Sequence, residues 1–571
     1  MEKNNNCQCA EFNTVPCSDG KMAQMHIEKG RKVIPIIFLP GVMGSNLKAK
    51  PKKGESENTK IIWRLDSPIS AAAWAIWIVG GPAARKKKLD PNKTEVDNRG
   101  TVTEAAEDEI RLFGTRRERG WGSVGYFSYG KFLETFQSYL YQPNGQLSSE
   151  LTSLIGKFSY ESLIDEAEAE AKSKSKSKSK SKSKSKASNN KLEFTKNEIE
   201  ICKNYDFPLY VMGYNWLESN KISAERLKTF VDKTIGFYKE RCKVCDKVIL
   251  VTHSMGGLVA RYYTEVLNEG KKVYGVINGV QPSTGSTVAY TRMKRGTEDN
   301  LGVARVLGDD AAKMTAVCAQ SPGPLQLLPS IDYGEEWLII SSPQSKEEKY
   351  PKKSERSIYE QIYLNKKDWW CVCEPHLINP LNRKHNELQM QTDWIRYEFL
   401  IRTEVEDFHK NIAGKYHPNT YVFYGIDQDD NNISEELLTY EKVHWQGEFI
   451  DKGFSIFKKR PSKNYIGDKN RLNLKELNEH RTLKANATES KDNNIPGNIK
   501  IKYTLKKADG NGDGTVPKRS GEIPIEEVKV RMHIPVKHAS PYDNAICQEF
   551  ALRAIVDIIK EVNKDEQQAK T

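Results

Sequence analysis

Ser254 stands in the run Thr252-His253-Ser254-Met255-Gly256-Gly257, between an apolar stretch and a stretch with helical apolar spacing. That is where a hydroxyl can act as a nucleophile. A sharp strand-to-helix turn lifts it above the edge of a sheet, and the helix N-terminus behind it turns backbone N–H groups toward a developing oxyanion. Crowding at such a turn demands small neighbours, which Gly256 and Gly257 supply. Thr252 occupies the place of the first glycine in the G-x-S-x-G pattern. The competing role, a serine that only caps a helix, does not explain the strand before it and the two glycines after it.

A neutral serine needs a base, and the base needs a carboxylate to orient it. His538, in VKHASPYDN, lies between the last strand-like run and the final helix, where a loop can carry a base over the turn. His533, inside that run, is the fallback, and His253 is expected to pack against the sheet. Two acids compete: Asp427, just after YVFYG, and Asp513, in the glycine-rich ADGNGDGTVP. Asp509, Asn511 and Asp513 imitate the start of a calcium loop, but the twelfth position is Ser520 rather than Glu. No EF-hand and no metal ligands are therefore assigned, and a loosely built calcium site is the only cofactor reading left. The second oxyanion donor should come from the loop after the first strand, LPGVMGSNL. It would place the N–H of Met43, or of Val42, opposite that of Met255.

These side chains need a frame. Lys32 to Leu39, Phe207 to Met212, Lys247 to Val251, Val273 to Val280, Tyr421 to Tyr424 and Val528 to Ile534 read as strands. Ile222 to Tyr238, the stretch after Ser254, and Asp543 to Val562 have helical apolar spacing. Strand and helix alternating in this way predict an α/β fold: a mostly parallel sheet with helices on both faces.

The composition, 38% hydrophobic and 29% charged, is that of a globular chain. Eight of the lysines behind the net charge of +12 lie in the alternating Lys-Ser tract from Lys172 to Lys186. The tract reads as a solvated linker, or more sharply as an attraction to anionic lipid. Without aromatic residues interleaved, it does not point to nucleic acid. Cys242 and Cys245 form C-x-x-C, but no second pair completes a zinc set, so ordinary thiols are expected. MEKNNNCQCAEF lacks an apolar signal region, which predicts synthesis in the cytoplasm without a Sec signal. ISAAAWAIWIV, Ile69 to Val79, with Trp74 and Trp77 and trailing basic charge, reads equally as an interfacial lid and as a core helix.

FLPGVMGSNL, GYNWLESN, THSMGG, GDGTVP and KHASPYDN occur in that order. In this the chain resembles the α/β-hydrolase lipases that include lecithin–cholesterol acyltransferase-like and GPI inositol-deacylase-like enzymes. The resemblance implies that Asp513 rather than Asp427 is the acid, and that large cap or lid insertions sit on the hydrolase sheet. VYGVINGVQPSTGSTVAYTRMKRG and VLGDDAAKMTAVCAQSPGPLQLLPS look like segments of bacterial type VI secretion lipase effectors. That narrower resemblance implies hydrolysis of phospholipid esters in a rival cell's envelope, a membrane surface as partner, a secretion apparatus and a neutralising immunity protein. A lipase or phospholipase is the expectation, with an acyltransferase using the same acyl-enzyme, or a non-catalytic lipid-binding scaffold, as alternatives.

On this basis residues 1–30 form a tail, and the hydrolase core comprises 31–90, 201–290, 411–430 and 506–571. Residues 31–90 carry the oxyanion loop and lid candidate, 201–290 the nucleophile, and 506–571 the acid and base. Three insertions interrupt it: 91–200, ending in the Lys-Ser linker, the cap 291–410, and the polar segment 431–505.

Overall fold

The computed structural model describes residues 11–13, 26–28, 31–52, 59–67, 81–142, 146–155, 194–297, 308–343, 345–353, 356–382, 384, 386–450, 480–484 and 500–568. The lid candidate with Trp74 and Trp77, and the Lys-Ser tract, lie outside these residues.

Six strands make the central sheet: β1 (Ile36–Leu39), β2 (Leu209–Val211), β3 (Val248–His253), β4 (Val273–Gly279), β5 (Thr420–Gly425) and β6 (Val530–Ile534). Their spatial order is β2-β1-β3-β4-β5-β6, and every neighbouring pair is parallel. A parallel sheet is buried on both faces, so its strands read as unbroken apolar runs, as they do here. The pleat then sorts alternate residues. Ile36, Phe38, Ile249 and Val251 join one core, while Ile37, Leu39, Val248 and Leu250 join the other. The first core is closed by α1 (Tyr126–Leu140) and the final helix α4 (Ala545–Gln568). The second is closed by α2 (Asn220–Lys239) and α3 (Met255–Arg261), the helix that follows Ser254. The strand order reverses between β1 and β3. Sites in open α/β sheets form at such a switch, beyond the carboxyl ends of the strands.

A second sheet of five strands runs Glu348–Tyr350, Leu338–Ser341, Val443–Ile450, Lys500–Leu505, His480–Lys484. Three of these strands come from the segment read as polar. Its polarity is that of a half-exposed sheet: Val443 and Trp445 are buried and Glu448 is exposed, and Ile501, Tyr503 and Leu505 alternate with less buried Lys502 and Thr504. The strands cover a separate core around Trp337, Trp445, Tyr290 and Tyr363.

Candidate active site

Ser254 terminates β3 with φ 53° and ψ −122°, a conformation that costs a non-glycine residue roughly 1–3 kcal/mol. Its backbone N–H donates to the carbonyl of Gly279 at 2.9 Å, and its carbonyl accepts from Gly257 N–H at 3.0 Å. The turn folds onto the loop after β1 so tightly that a Cβ on Gly256 would lie 2.5 Å from the carbonyl oxygen of Leu39. A Cβ on Gly41 would lie 3.2 Å from that of Ser254. Small residues at 41 and 256 are what let the two loops touch.

Ser254 Oγ is 2.8 Å from His538 Nε2, and His538 Nδ1 is 2.7 Å from Asp513 Oδ2. The other carboxylate oxygen, Oδ1, accepts from the N–H groups of Thr515 at 2.9 Å and Val516 at 2.5 Å. The Asp513 carboxyl, its side chain 1% exposed, thus has three partners: two N–H donors and the imidazole. His538 also donates its backbone N–H to the Asp513 carbonyl at 2.9 Å. With Nδ1–H bonded to the carboxylate, Nε2 is left as an acceptor facing the hydroxyl.

Asp427 lies elsewhere. Its carboxylate accepts N–H groups of Asp429 and Ser434 inside its own turn. Asp513 nevertheless occupies the space beyond the end of β5 where an acid following that strand would sit. A Cβ on Gly425, the last residue of β5, would stand 2.5 Å from Asp513 Cβ. His533 pairs with Tyr424 within the sheet. Asn511 binds the backbone carbonyl and N–H of Asp427 and one carboxylate oxygen of Asp430, and Asp513 is committed to His538. Among the described residues no three His, Cys, Asp or Glu side chains are grouped to hold a metal. The C-x-x-C cysteines differ from each other: Cys245 is a buried free thiol and Cys242 is disulfide-bonded.

The loop after β1 is pinned at nearly every peptide. Tyr214 Oη donates to the carbonyl of Pro40 at 2.7 Å, Gly41 N–H donates to Tyr129 Oη at 3.1 Å, and Gly44 N–H donates to the carbonyl of Gly41 at 3.1 Å. Trp63 Nε1 donates to the carbonyl of Met43 at 2.8 Å, and its ring meets Trp216 edge-on at 5.4 Å. Met43 is held at φ 63°. The N–H groups of Val42 and Met43 are not used by these pins. Met255 opens α3, so its N–H has no carbonyl one turn behind it.

His253 does more than pack against the sheet. It is buried, with Nδ1 2.7 Å from Tyr129 Oη and Nε2 2.8 Å from the carbonyl oxygen of His538. Burial and the facing His538 imidazole push its pKa down to about 3, so the ring is neutral. Tyr129 and Trp63 escaped the sequence reading, because a tyrosine on an amphipathic helix or a tryptophan in a short strand carries no mark of its partner. GYNW did hold Tyr214 and Trp216.

A six-stranded parallel sheet, a serine on a strained turn after its third strand in sequence and two loops closing over it define an α/β-hydrolase. The sequence model of the lecithin:cholesterol acyltransferase family matches residues 183–533, more than half of the chain. The chain therefore belongs to the lecithin:cholesterol acyltransferase family. The match contains Ser254 and Asp513, begins after the Leu39–Leu47 loop and ends before His538. Among solved structures, that of the Tle4–Tli4 complex aligns with a TM-score of 0.65 at 24% identity. The alignment covers 92% of this chain and 98% of that one, a likeness of fold. No curated protein matches the sequence. Family and fold make the chain an α/β-hydrolase of the lipase, esterase and acyltransferase type. Among the described residues no helix is long and apolar enough to cross a membrane.

Proposed function

We propose that the protein is a serine lipase that hydrolyses acyl esters of membrane glycerophospholipids. The observation that carries this reading is the chain of contacts from Ser254 Oγ to His538 Nε2 at 2.8 Å and from His538 Nδ1 to Asp513 Oδ2 at 2.7 Å. In this reading Ser254 Oγ attacks the ester carbonyl carbon while its proton passes to His538 Nε2. Asp513 holds the ring in the tautomer that can accept that proton and stabilises the imidazolium. The N–H groups of Met255 and of Met43 or Val42 receive the oxyanion. Collapse of the intermediate returns the proton to the departing alcohol and leaves an acyl-Ser254 ester. Water, deprotonated by the same imidazole, then releases the fatty acid.

The substrate class is supported by the family and by the ordered lipase motifs. The resemblance to type VI secretion lipase effectors, and a fold shared with a protein solved in the two-component Tle4–Tli4 complex, support the finer reading. In it the protein is an antibacterial effector, delivered into a target cell's envelope and neutralised by a dedicated immunity protein. No cofactor is assigned.

The test is mass spectrometry of products from mixed phospholipid vesicles treated with wild-type protein and with Ser254→Ala, with and without an acceptor alcohol. Free fatty acid and lysophospholipid from the wild type alone are expected. Acyl transfer to the added alcohol in preference to water would favour the acyltransferase reading that the family name also suggests. An inert wild type, or equal turnover by Ser254→Ala, would leave a lipid-binding scaffold.

A further inference from the structure

The base and the oxyanion loop belong to segments far apart in sequence, yet one imidazole touches the supports of both. The carbonyl oxygen of His538 can only accept, so the 2.8 Å contact places a proton on His253 Nε2. A neutral ring then has a bare Nδ1, and the 2.7 Å contact there must be a hydrogen bond from the Tyr129 hydroxyl. That hydroxyl in turn accepts the N–H of Gly41 at 3.1 Å. The bonds run in one direction: Gly41 N–H to Tyr129 Oη, Tyr129 O–H to His253 Nδ1, and His253 Nε2–H to the carbonyl of His538.

We propose that His253 is a positioning residue: its single neutral tautomer ties the main chain of the base His538 to the main chain of the loop that faces Ser254. The inference rests on the serine-esterase reading and deepens it. Three features support it beyond the contacts. The ring centroid of His253 lies 5.4 Å from that of His538, so the two imidazoles are close neighbours in space. His253 and Tyr129 are both buried, at 5% exposure each, so no water competes for the bonds. Their low polarity also means that His253 stays uncharged beside a base that becomes a cation during turnover, since burial holds its pKa at about 3. Apart from the Ser254 contact at Nε2, His538 is held by Asp513, through the backbone N–H at 2.9 Å and the carboxylate at 2.7 Å. The His253 bond therefore holds the His538 main chain through its carbonyl, an atom that Asp513 does not touch.

The experiment compares full-length wild type, His253→Phe, His253→Gln, Tyr129→Phe and the His253→Phe/Tyr129→Phe double variant. Each is assayed for kcat and KM on a soluble p-nitrophenyl ester, for the rate of Ser254 labelling by a fluorophosphonate, and for melting temperature. Loss of base alignment should lower kcat and labelling rate in His253→Phe by ~100-fold, with KM nearly unchanged. His253→Gln, whose amide can donate to one partner and accept from the other, should recover most of that loss. Tyr129→Phe, which deletes only a hydroxyl, should lose part of it, and the double variant should be no worse than His253→Phe. A folded His253→Phe with kcat within a few-fold of wild type would overturn the coupling, as would losses in Phe and Gln variants that are equal and follow melting temperature alone. Strictly additive losses in the double variant would overturn it too. A wild type inert to both ester and fluorophosphonate would instead overturn the esterase reading, and this inference with it.

Discussion

Gly425→Ala isolates the position of Asp513, the acid of the proposed triad, from its chemistry. Gly425 does not adopt left-handed backbone, so an added methyl acts through space alone. Its Cβ would stand 2.5 Å from Asp513 Cβ and 2.5 Å from the carbonyl oxygen of Val536, where ordinary contact begins near 3.4 Å. Neither neighbour is the free end of a flexible side chain. One is the root of the acid, and the other is main chain two residues before the base. Relief needs a displacement of about 0.9 Å (3.4 less 2.5 Å) at each of the two contacts. The bonds at stake are 2.7 Å from His538 to Asp513 and 2.8 Å from Ser254 to His538, and a shift of this size carries either to the limit of a hydrogen bond. Misplacement on the order of 1 Å costs ~100-fold in rate, and overpacking costs ~1–3 kcal/mol of stability. On a soluble short-chain ester, Gly425→Ala should therefore lose about 100-fold in kcat, with little change in KM and a modest drop in melting temperature. Gly236→Ala in α2 is the control: nothing lies within 4 Å of the new Cβ, so activity should hold and stability should rise by ~0.5–1 kcal/mol. A Gly425→Ala protein with wild-type kcat would refute the argument that the end of β5 sets the acid.

Asp513→Asn should lower kcat by ~10⁴-fold through loss of the correct His538 tautomer, whereas Asp427→Asn, which serves only its own turn, should leave kcat near wild type. The reverse ranking in esterase assays would move the acid to Asp427. Acid stability offers a separate check at Glu198. Burial alone would raise its pKa, but Arg553, Lys560 and the Thr195 N–H hold the carboxyl at about 2. A depressed carboxylate stabilises the fold above its ordinary pKa of 4.5, and this contribution is lost as pH falls from about 4.5 toward 2. Melting temperature against pH should therefore fall less steeply over that window in Glu198→Gln, which starts lower, and parallel curves would contradict the assignment. Trp74→Ala with Trp77→Ala should reduce hydrolysis of phospholipid vesicles more than that of a soluble ester, and equal losses would remove the membrane role from Ile69 to Val79.

The six central strands, α2 and α4 were legible because each is a local pattern: continuous apolar runs for strands buried on both faces, and helical spacing for helices that cover one face. The expected strand Lys32 to Leu39 breaks at Ile34-Pro35, since proline gives no ladder hydrogen bond. The stretch after Ser254 is α-helical only to Arg261 and continues as a π-turn over Tyr262–Val266. Ser254 was legible for the same local reason as the strands. The choice between Asp427 and Asp513 was not, because the space beyond β5 is filled by a loop that returns from residues 510–517, and only the family resemblance pointed there. The contacts of Tyr129 were beyond reach altogether. They join positions separated by 88 and 124 residues, and their partners are a backbone N–H and a ring nitrogen that no periodicity marks.

Three of the six non-glycine residues with positive φ among the described residues lie at one end of the sheet. Met43, Ser254 and Val280 are non-glycine residues at φ 63°, 53° and 47°, and each follows one of the adjacent strands β1, β3 and β4. For a β-branched residue such as Val280 this conformation is rare. Each is held by a bond from a neighbouring element: the Met43 carbonyl by Trp63, the Ser254 N–H by Gly279, and the Val280 N–H by Phe423 at 2.9 Å. A flexible loop would relax out of such geometry, whereas parallel strands locked in register do not allow it. The consequence is mechanistic. In the proposed reaction the Ser254 hydroxyl, the His538 ring and the N–H groups of Val42 and Met43 are held in place before any ester arrives, so stabilising an oxyanion there would require no reorganisation of the protein.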